Sequence, residues 1–289
     1  GRTEWHYRIA EPIPVYTMVI GVAKFAVTTL PPACAERCVP MAVWTYPADS
    51  AFAVAGPFRR AGEIVSWFSQ VIGEFPYERL THVESTTIFG GVENASAIFY
   101  DEKAYGKHSL SESVVAHETA HQWFGDAVTE DDWHHLWLSE GFATYFSTLW
   151  SEHVGGDSAR VAEMRRAATT VFGAKEISRP ILDPQATNLM GLLNSNNYPK
   201  GAWVLNTLRG LVGDSAFFGG VREYYRQYRN RTALSADFAR IMSTASGKAP
   251  AWYFRQALTP PGSPFLAFRL LPAPGGPRPP RPPLQRYVG

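Results

Sequence analysis

The sequence predicts an α+β fold, with strands first and helices after. Three observations carry this reading. The first hundred residues hold β-branched, apolar stretches without helical caps, and from Ser109 onward apolar residues recur at helical spacing. A 45% apolar content with 9 Trp, 13 Tyr and 17 Phe supplies a core for most of the 289 residues and argues against disorder.

Taken in order, residues 13–30 (IPVYTMVIGVAKFAVTTL) read as strand, and 41–47 (MAVWTYP) as a second strand stopped by Pro47. From Phe58 the pattern turns helical, with Ala61, Ile64, Val65, Phe68, Val71 and Ile72 on one stripe. Residues 79–100 return to strand, broken at Gly90-Gly91. Helices are expected near 109–124, 134–152, 157–173, 197–211, 214–228, 234–245 and 250–257. The segment 272–285 (PAPGGPRPPRPPLQ) is too Pro-rich to build a core and is expected to be an extended, disordered linker, although it formally holds a PxxP ligand.

Composition excludes some functions. The 27 basic and 26 acidic residues are well mixed, for a net charge of +1, so no basic stripe exists to neutralise phosphates and nucleic acid is not an expected partner. No stretch approaches 18 consecutive apolar residues, so no transmembrane helix is expected. The start carries neither an initiator Met nor a charged-then-apolar leader and reads as cut from something longer. Compartment and oligomeric state stay unassigned. The two cysteines, Cys34 and Cys38, are read as incidental thiols; a local disulfide and half a metal site are the alternatives, and the lack of a second pair argues against a zinc ribbon.

The chemistry gathers in SLSESVVAHETAHQWFGD, 109–126. His117 and His121 are four apart on a helix, so their side chains lie about 40° apart on one face and can grip one ion. Glu118 projects about 100° round from His117, within reach of a metal-bound water but poorly aimed as a ligand. Ser109-x-x-Glu112 reads as a capping box, with Val114, Val115, Trp123 and Phe124 burying the rest of the helix. These five residues alone leave decoration and catalysis both open.

Hydrolysis by zinc needs a third protein ligand and an open fourth position. Glu140, with 18 residues between it and His121, lies on the stripe Trp133, Leu136, Trp137, Glu140, Ala143, Thr144 of the next helix. A carboxylate on an apolar stripe is costly to bury without a partner, and a cation held by two histidines would be that partner. His134 and His135 are adjacent, point to different sides of a helix, and read as packing or supporting residues. With one Zn²⁺ lowering the pKa of a bound water, Glu118 would accept the water proton and pass it to the leaving amine.

HETAH followed by WLSEGFA resembles the gluzincins, zinc peptidases whose third ligand is a glutamate on the following helix. GGVENASAIFY, 90–100, is similar to the G-x-M-E-N signature of aminopeptidase N-like enzymes, and NNYPKGAWVLNTLR, 196–209, to their segment carrying a Tyr-x-Lys-Gly motif. The resemblance covers roughly residues 10–260. It implies a thermolysin-like catalytic domain, a small mixed sheet and a mainly helical lobe, preceded by remnant β strands. It implies His117, His121 and Glu140 as zinc ligands, Glu118 as general base, Tyr198 as hydroxyl donor to the oxyanion, and Glu93 as the partner of the substrate's free α-amine. Gly90, Gly91, Val92, Asn94 and Ala95 would run along an extended peptide, the glycines allowing close backbone approach.

The departures are Val92 in place of Met, expected to alter pocket shape, and Ser96 in place of Gly, expected to stiffen the strand. The expected divisions are 1–45, a remnant of an N-terminal β domain; 46–258, the catalytic domain; and 259–289, the Pro-rich tail. The expected function is a zinc aminopeptidase acting on peptides with a free N-terminus. The alternatives are a non-catalytic zinc-binding fragment or a related zinc hydrolase without strict exopeptidase selectivity, including the leukotriene-hydrolase type.

Overall fold

A computed structural model describes residues 3–4, 6–248 and 251–262. β1 (Ala26–Cys34) and β2 (Cys38–Thr45) form an antiparallel hairpin, followed by α1 (Ser50–Ala55) and α2 (Ala61–Val71). β3 (Leu80–Ser85), β4 (Gly91–Val92) and β5 (Ala97–Asp101) complete one mixed sheet in the order β1-β2-β3-β5-β4. The sheet is continuous across β2 and β3, which pair in parallel from Met41↔Leu80 to Trp44↔Val83. The short β4 is its edge, pairing antiparallel with β5 at Val92↔Phe99.

The helical part holds α3 (Glu102–Gly106), α4 (Glu112–His121), α5 (Trp137–Gly155), α6 (Asp157–Gly173), α7 (Gly201–Val212), α8 (Asp214–Tyr228), α9 (Ser235–Ser246) and α10 (Ala251–Leu258). A two-stranded parallel ribbon, β6 (Val128–Glu130) with β7 (Arg231–Ala233), ties the turn after α4 to the turn after α8. Among the described residues, no helix is long and apolar enough to cross a membrane.

The α2 stripe behaves as its periodicity requires. Ala61, Ile64, Val65, Phe68 and Ile72 are buried, and Phe68 sits edge-on to both Trp123 after α4 and Phe146 of α5. Each such side chain removed from water is worth about 1.5–3 kcal/mol. Trp123 is anchored further by its indole N–H, which donates to Gly73 O at 2.9 Å. α5 is buried on nearly every side, from Trp137 to Trp150. It is the central rod on which α4 and α7 lie.

Several expectations are corrected. Of 13–30, only Ala26–Leu30 enters a strand; Val15–Thr17 is a single 3-10 turn, since Tyr16 and Thr17 bond to neighbouring elements rather than to a strand partner. Trp133–His135 is likewise a 3-10 turn ahead of α5. The cap of α4 is Ser111, whose hydroxyl accepts from Val114 N at 3.4 Å, and not Ser109. With Ser111 as the cap, Glu112 is the first helical residue and cannot close a capping box; its carboxylate accepts instead from Arg60 at 2.6 Å and from the Trp150 indole N–H at 2.8 Å.

Cys34 and Cys38 are not incidental thiols. They face each other across the hairpin, Cα to Cα 4.1 Å, and are disulfide-bonded. The Pro-rich stretch 272–285 and its PxxP sequence lie outside the described residues.

Candidate active site

α4 presents His117 and His121 on the face that meets α5, where Glu140 stands in the first turn. Three atoms converge there. His117 Nε2 and His121 Nε2 are 3.1 Å apart, and Glu140 Oε2 lies 3.4 Å from the first and 3.2 Å from the second. Local structure aims each of them. His121 Nδ1 is 3.0 Å from Phe124 O and 3.1 Å from Ser139 Oγ, which hold its N–H and leave the Nε2 lone pair facing inward. Those partners are reached because the chain turns at Gly125, φ +127°, where a Cβ would stand 2.6 Å from Ser139 Oγ.

Glu140 Oε1 accepts from the Tyr198 hydroxyl at 2.5 Å, while the buried Oε2 has no hydrogen-bond partner among the described residues. The Tyr198 ring is stacked on His117, centroids 6.0 Å apart. Side-chain exposure is 17% at His117, 1% at His121 and 7% at Glu140, so the cluster opens on the His117 side alone.

Charge in this small volume is strongly coupled. Burial works against the Glu140 carboxylate, yet His121 and His117 outweigh it and hold its pKa well below the ordinary range. Burial also opposes charging of His121, but Glu140 and Glu93 raise its pKa well above normal. His117, with burial dominant, is lowered. Glu118 is pushed up to about 8, by burial first and then by Glu93 and Glu140, with His121 opposing.

Glu93 joins from the turn that follows β4. One atom each from Glu93, Glu118 and His121 lie within 4.8 Å of one another. Gly91 faces Glu118 closely enough that a Cβ there would be 2.5 Å from its Cδ, whereas Gly90 has nothing within 4 Å. Val92 is half-buried beside them. Asn94 and Ala95 turn inward: both are buried, and Asn94 Nδ2 donates to Thr17 O at 3.1 Å. Ser96 takes φ +66°, the conformation that favours glycine, and offsets the strain through its hydroxyl bond to Arg79 O at 3.0 Å. His134 pairs with Asp132 at 2.6 Å and His135 with Ser235 at 2.7 Å; neither joins the cluster.

Two further carboxylates stand behind the site, Asp126 and Glu130, both buried and both raised in pKa by burial first, Glu130 to about 7. Tyr16 belongs to the same group, its hydroxyl donating to Gly125 O at 3.2 Å. Gln122, Asp126, Glu130 and Ser139 carry no motif of their own. Gln122 and Ser139 directly adjoin His121 and Glu140 in sequence, whereas Asp126 and Glu130 lie beyond the end of α4 and have no positional signal.

A family model described as the Peptidase family M1 domain matches residues 59–256, which spans β3 to β5, α4, α5 and the Tyr198 turn. The chain belongs to peptidase family M1.

This M1 chain is 29% identical over 228 residues to "Probable aminopeptidase 2" of Sulfurisphaera tokodaii, covering 71% of the chain and 28% of that relative. It is 31% identical over 217 residues to "Leucyl aminopeptidase" of Saccharolobus solfataricus, covering 67% and 27%. It therefore spans about a quarter of the length of these relatives. The crystal structure of an M1 zinc metallopeptidase from Deinococcus radiodurans superposes with a TM-score of 0.75 at 26% identity, covering 89% of this M1 chain and 57% of that one. A mutant of that protein has been solved bound to a Tyr-Ser-Ala substrate.

Proposed function

We propose that this chain is the catalytic region of a zinc-dependent aminopeptidase, hydrolysing the first peptide bond of peptides with a free N-terminus. The convergence of His117, His121 and Glu140 beside Glu118 carries the reading. A tetrahedral zinc with ligand bonds of about 2.0–2.1 Å spaces its ligand atoms about 3.3 Å apart. The three distances here are 3.1, 3.2 and 3.4 Å, and the buried Glu140 Oε2 lacks any other partner. The residues therefore fit the ion, and the opening beside His117 favours a hydrolytic site over a closed structural one.

Bound there, zinc would supply Lewis-acid polarisation and a water of lowered pKa. The chain's own residues do the rest. Glu118 takes a proton from the attacking water as its oxygen bonds to the scissile carbonyl carbon, then delivers that proton to the departing amine as the C–N bond breaks. Tyr198, stacked on His117, donates its hydroxyl hydrogen to the oxygen that gains charge. Glu93 pairs with the substrate's ammonium and so sets how much chain lies on the amino side of the cleaved bond. The edge strand β4 supports an extended peptide alongside it.

The test measures zinc content and hydrolysis of aminoacyl chromogenic substrates, free and N-acetylated, for the protein and for Glu118→Gln. The proposal expects one zinc per chain in both, cleavage of the free substrate alone, and loss of that cleavage in the variant. Stoichiometric zinc without cleavage of any substrate would make this a non-catalytic metal-binding region. Equal cleavage of free and acetylated substrates would remove the amine-binding role of Glu93.

A further inference from the structure

The carboxylate of Glu93 reaches the metal-ligand cluster, yet among the described residues no donor holds it. Its direction is set by its backbone. That backbone, the turn 93–96, is fastened at both ends by one side chain. Gln122 Nε2 donates to Glu93 O at 3.0 Å, and Gln122 Oε1 accepts from Ser96 N at 2.7 Å. The other Nε2 hydrogen goes to Asp126 Oδ2 at 2.8 Å, which fixes which end of the amide faces Glu93. Gln122 is fully buried, and it directly follows His121.

Other tethers of the turn come from elsewhere, among them Asn94 to Thr17, Ser96 to Arg79 and Thr81 N to Ser96 O. Gln122 alone among the described side chains ties the turn to the helix end that carries His121. β4 and α4 also touch where Gly91 packs on Glu118, but that contact precedes the turn and bonds none of its backbone. A buried amide whose two N–H donors and oxygen are all engaged is also costly to disturb.

We infer that Gln122 is a positioning residue for the amine-binding step: it sets the distance between the Glu93 carboxylate and the metal-binding histidines, and through it the selectivity for a free N-terminus. The inference rests on the proposed aminopeptidase reading. Gln122 touches neither the substrate nor the ion.

The experiment titrates zinc-loaded protein by calorimetry with leucine hydroxamate and with its desamino counterpart. The proteins compared are the natural sequence, Glu93→Ala, Gln122→Met and the double variant. The natural sequence should prefer the amine-bearing ligand at least tenfold. Gln122→Met should bring this preference to within threefold of the Glu93→Ala level, with zinc stoichiometry kept and affinity for the desamino ligand changed less than twofold. In the double variant no further loss should appear.

A full preference retained by Gln122→Met overturns the inference, and so does an equal weakening of both ligands or loss of zinc. If Glu93→Ala itself keeps the full preference, the amine role of Glu93 fails instead, and that result is distinct from the first. Gln122→Asn, which keeps the amide but withdraws it by one methylene, decides the same question if circular dichroism shows Gln122→Met to be unfolded. Its preference should fall at least threefold.

Discussion

Gly141 and Gly201 meet backbone to backbone: a Cβ on Gly141 would lie 3.0 Å from Gly201 Cα, and one on Gly201 would lie 2.9 Å from Gly141 Cα. Gly141 directly follows Glu140, and Gly201 comes three residues after Tyr198, so this contact presses the hydroxyl against the carboxylate. Because backbone cannot yield as a side-chain tip can, Gly141→Ala and Gly201→Ala should each cost about 1–3 kcal/mol. Urea unfolding would measure this. Hydrolysis should fall more than stability alone explains, and activity unchanged in a folded variant would reject the link.

Tyr198→Phe keeps the ring stacked on His117 and removes only the hydroxyl. If that hydroxyl stabilises the developing oxyanion, kcat should drop by about 10²–10³ with zinc content unchanged. A kcat within threefold of the natural sequence would reassign Tyr198 to orienting Glu140.

Removing the ion, or the group that faces it, should be visible in stability as well as activity. Glu140 Oε2 is buried with two imidazoles as its neighbours. Glu140→Ala should lose stoichiometric zinc, and chelation of the natural sequence should lower Tm, since a ligand bound only by the folded state stabilises it by mass action. No Tm change on full zinc removal would contradict a site built for the ion.

His82 gives the acid side of the stability profile. It is buried beside Phe58, bonded to Tyr100 through Nδ1 at 2.9 Å, and burial pushes its pKa down to about 3. The unfolded chain binds that proton near the ordinary value of about 6.5. The folded state refuses it, so this contribution is complete above pH 6.5 and is lost as pH falls towards 3. From pH 7.5 to pH 5 the loss should be about 2 kcal/mol, and His82→Asn should flatten the profile by that amount. Parallel profiles for the two proteins would show that another group controls acid sensitivity.

The Cys34–Cys38 disulfide closes a very short loop, for which chain-entropy arguments give up to about 2 kcal/mol. The hairpin tip is also held by Arg37, which pairs with Glu74 at 2.7 Å. Reduction should therefore lower Tm by a few degrees without abolishing folding. A collapse of the cooperative transition on reduction would mean that Arg37 does not secure the tip.

The convergence of His117, His121 and Glu140 was legible in the sequence because helical spacing is a strict geometric signal. His117 and His121 had to share a face, and Glu140 on an apolar stripe had to find a charge. The stripe of α2 was readable for the same reason. Spacing says nothing about partners that arrive from other elements. Gln122 sits beside His121 with no pattern around it, and its bonds depend on where the 93–96 turn and Asp126 come to rest.

The cap is Ser111 and not Ser109, whose N–H and hydroxyl turn back to Ala104 O, while Glu112 meets Arg60 and Trp150, partners distant in sequence. Residues 13–25 have strand composition, but composition does not provide a neighbouring strand to pair with. The cysteines four apart became a disulfide only through the antiparallel register of β1 and β2, which their spacing alone does not specify.

Ahead of α7 the helix is underwound, one turn holding an extra residue. Asn196–Lys200 forms a π-turn, with Lys200 N bonded to Ser195 O at 3.0 Å, and Pro199 inside it lacks the N–H a regular turn would use. An extra residue in a helix is a phase shift of about 100° for everything on one side relative to the other. The side chain that meets Glu140 is thus chosen by the length of this turn as much as by its composition. A homologous chain that gains or loses one residue between 194 and 197 would bring a different side chain round to Glu140, with Tyr198 itself unaltered.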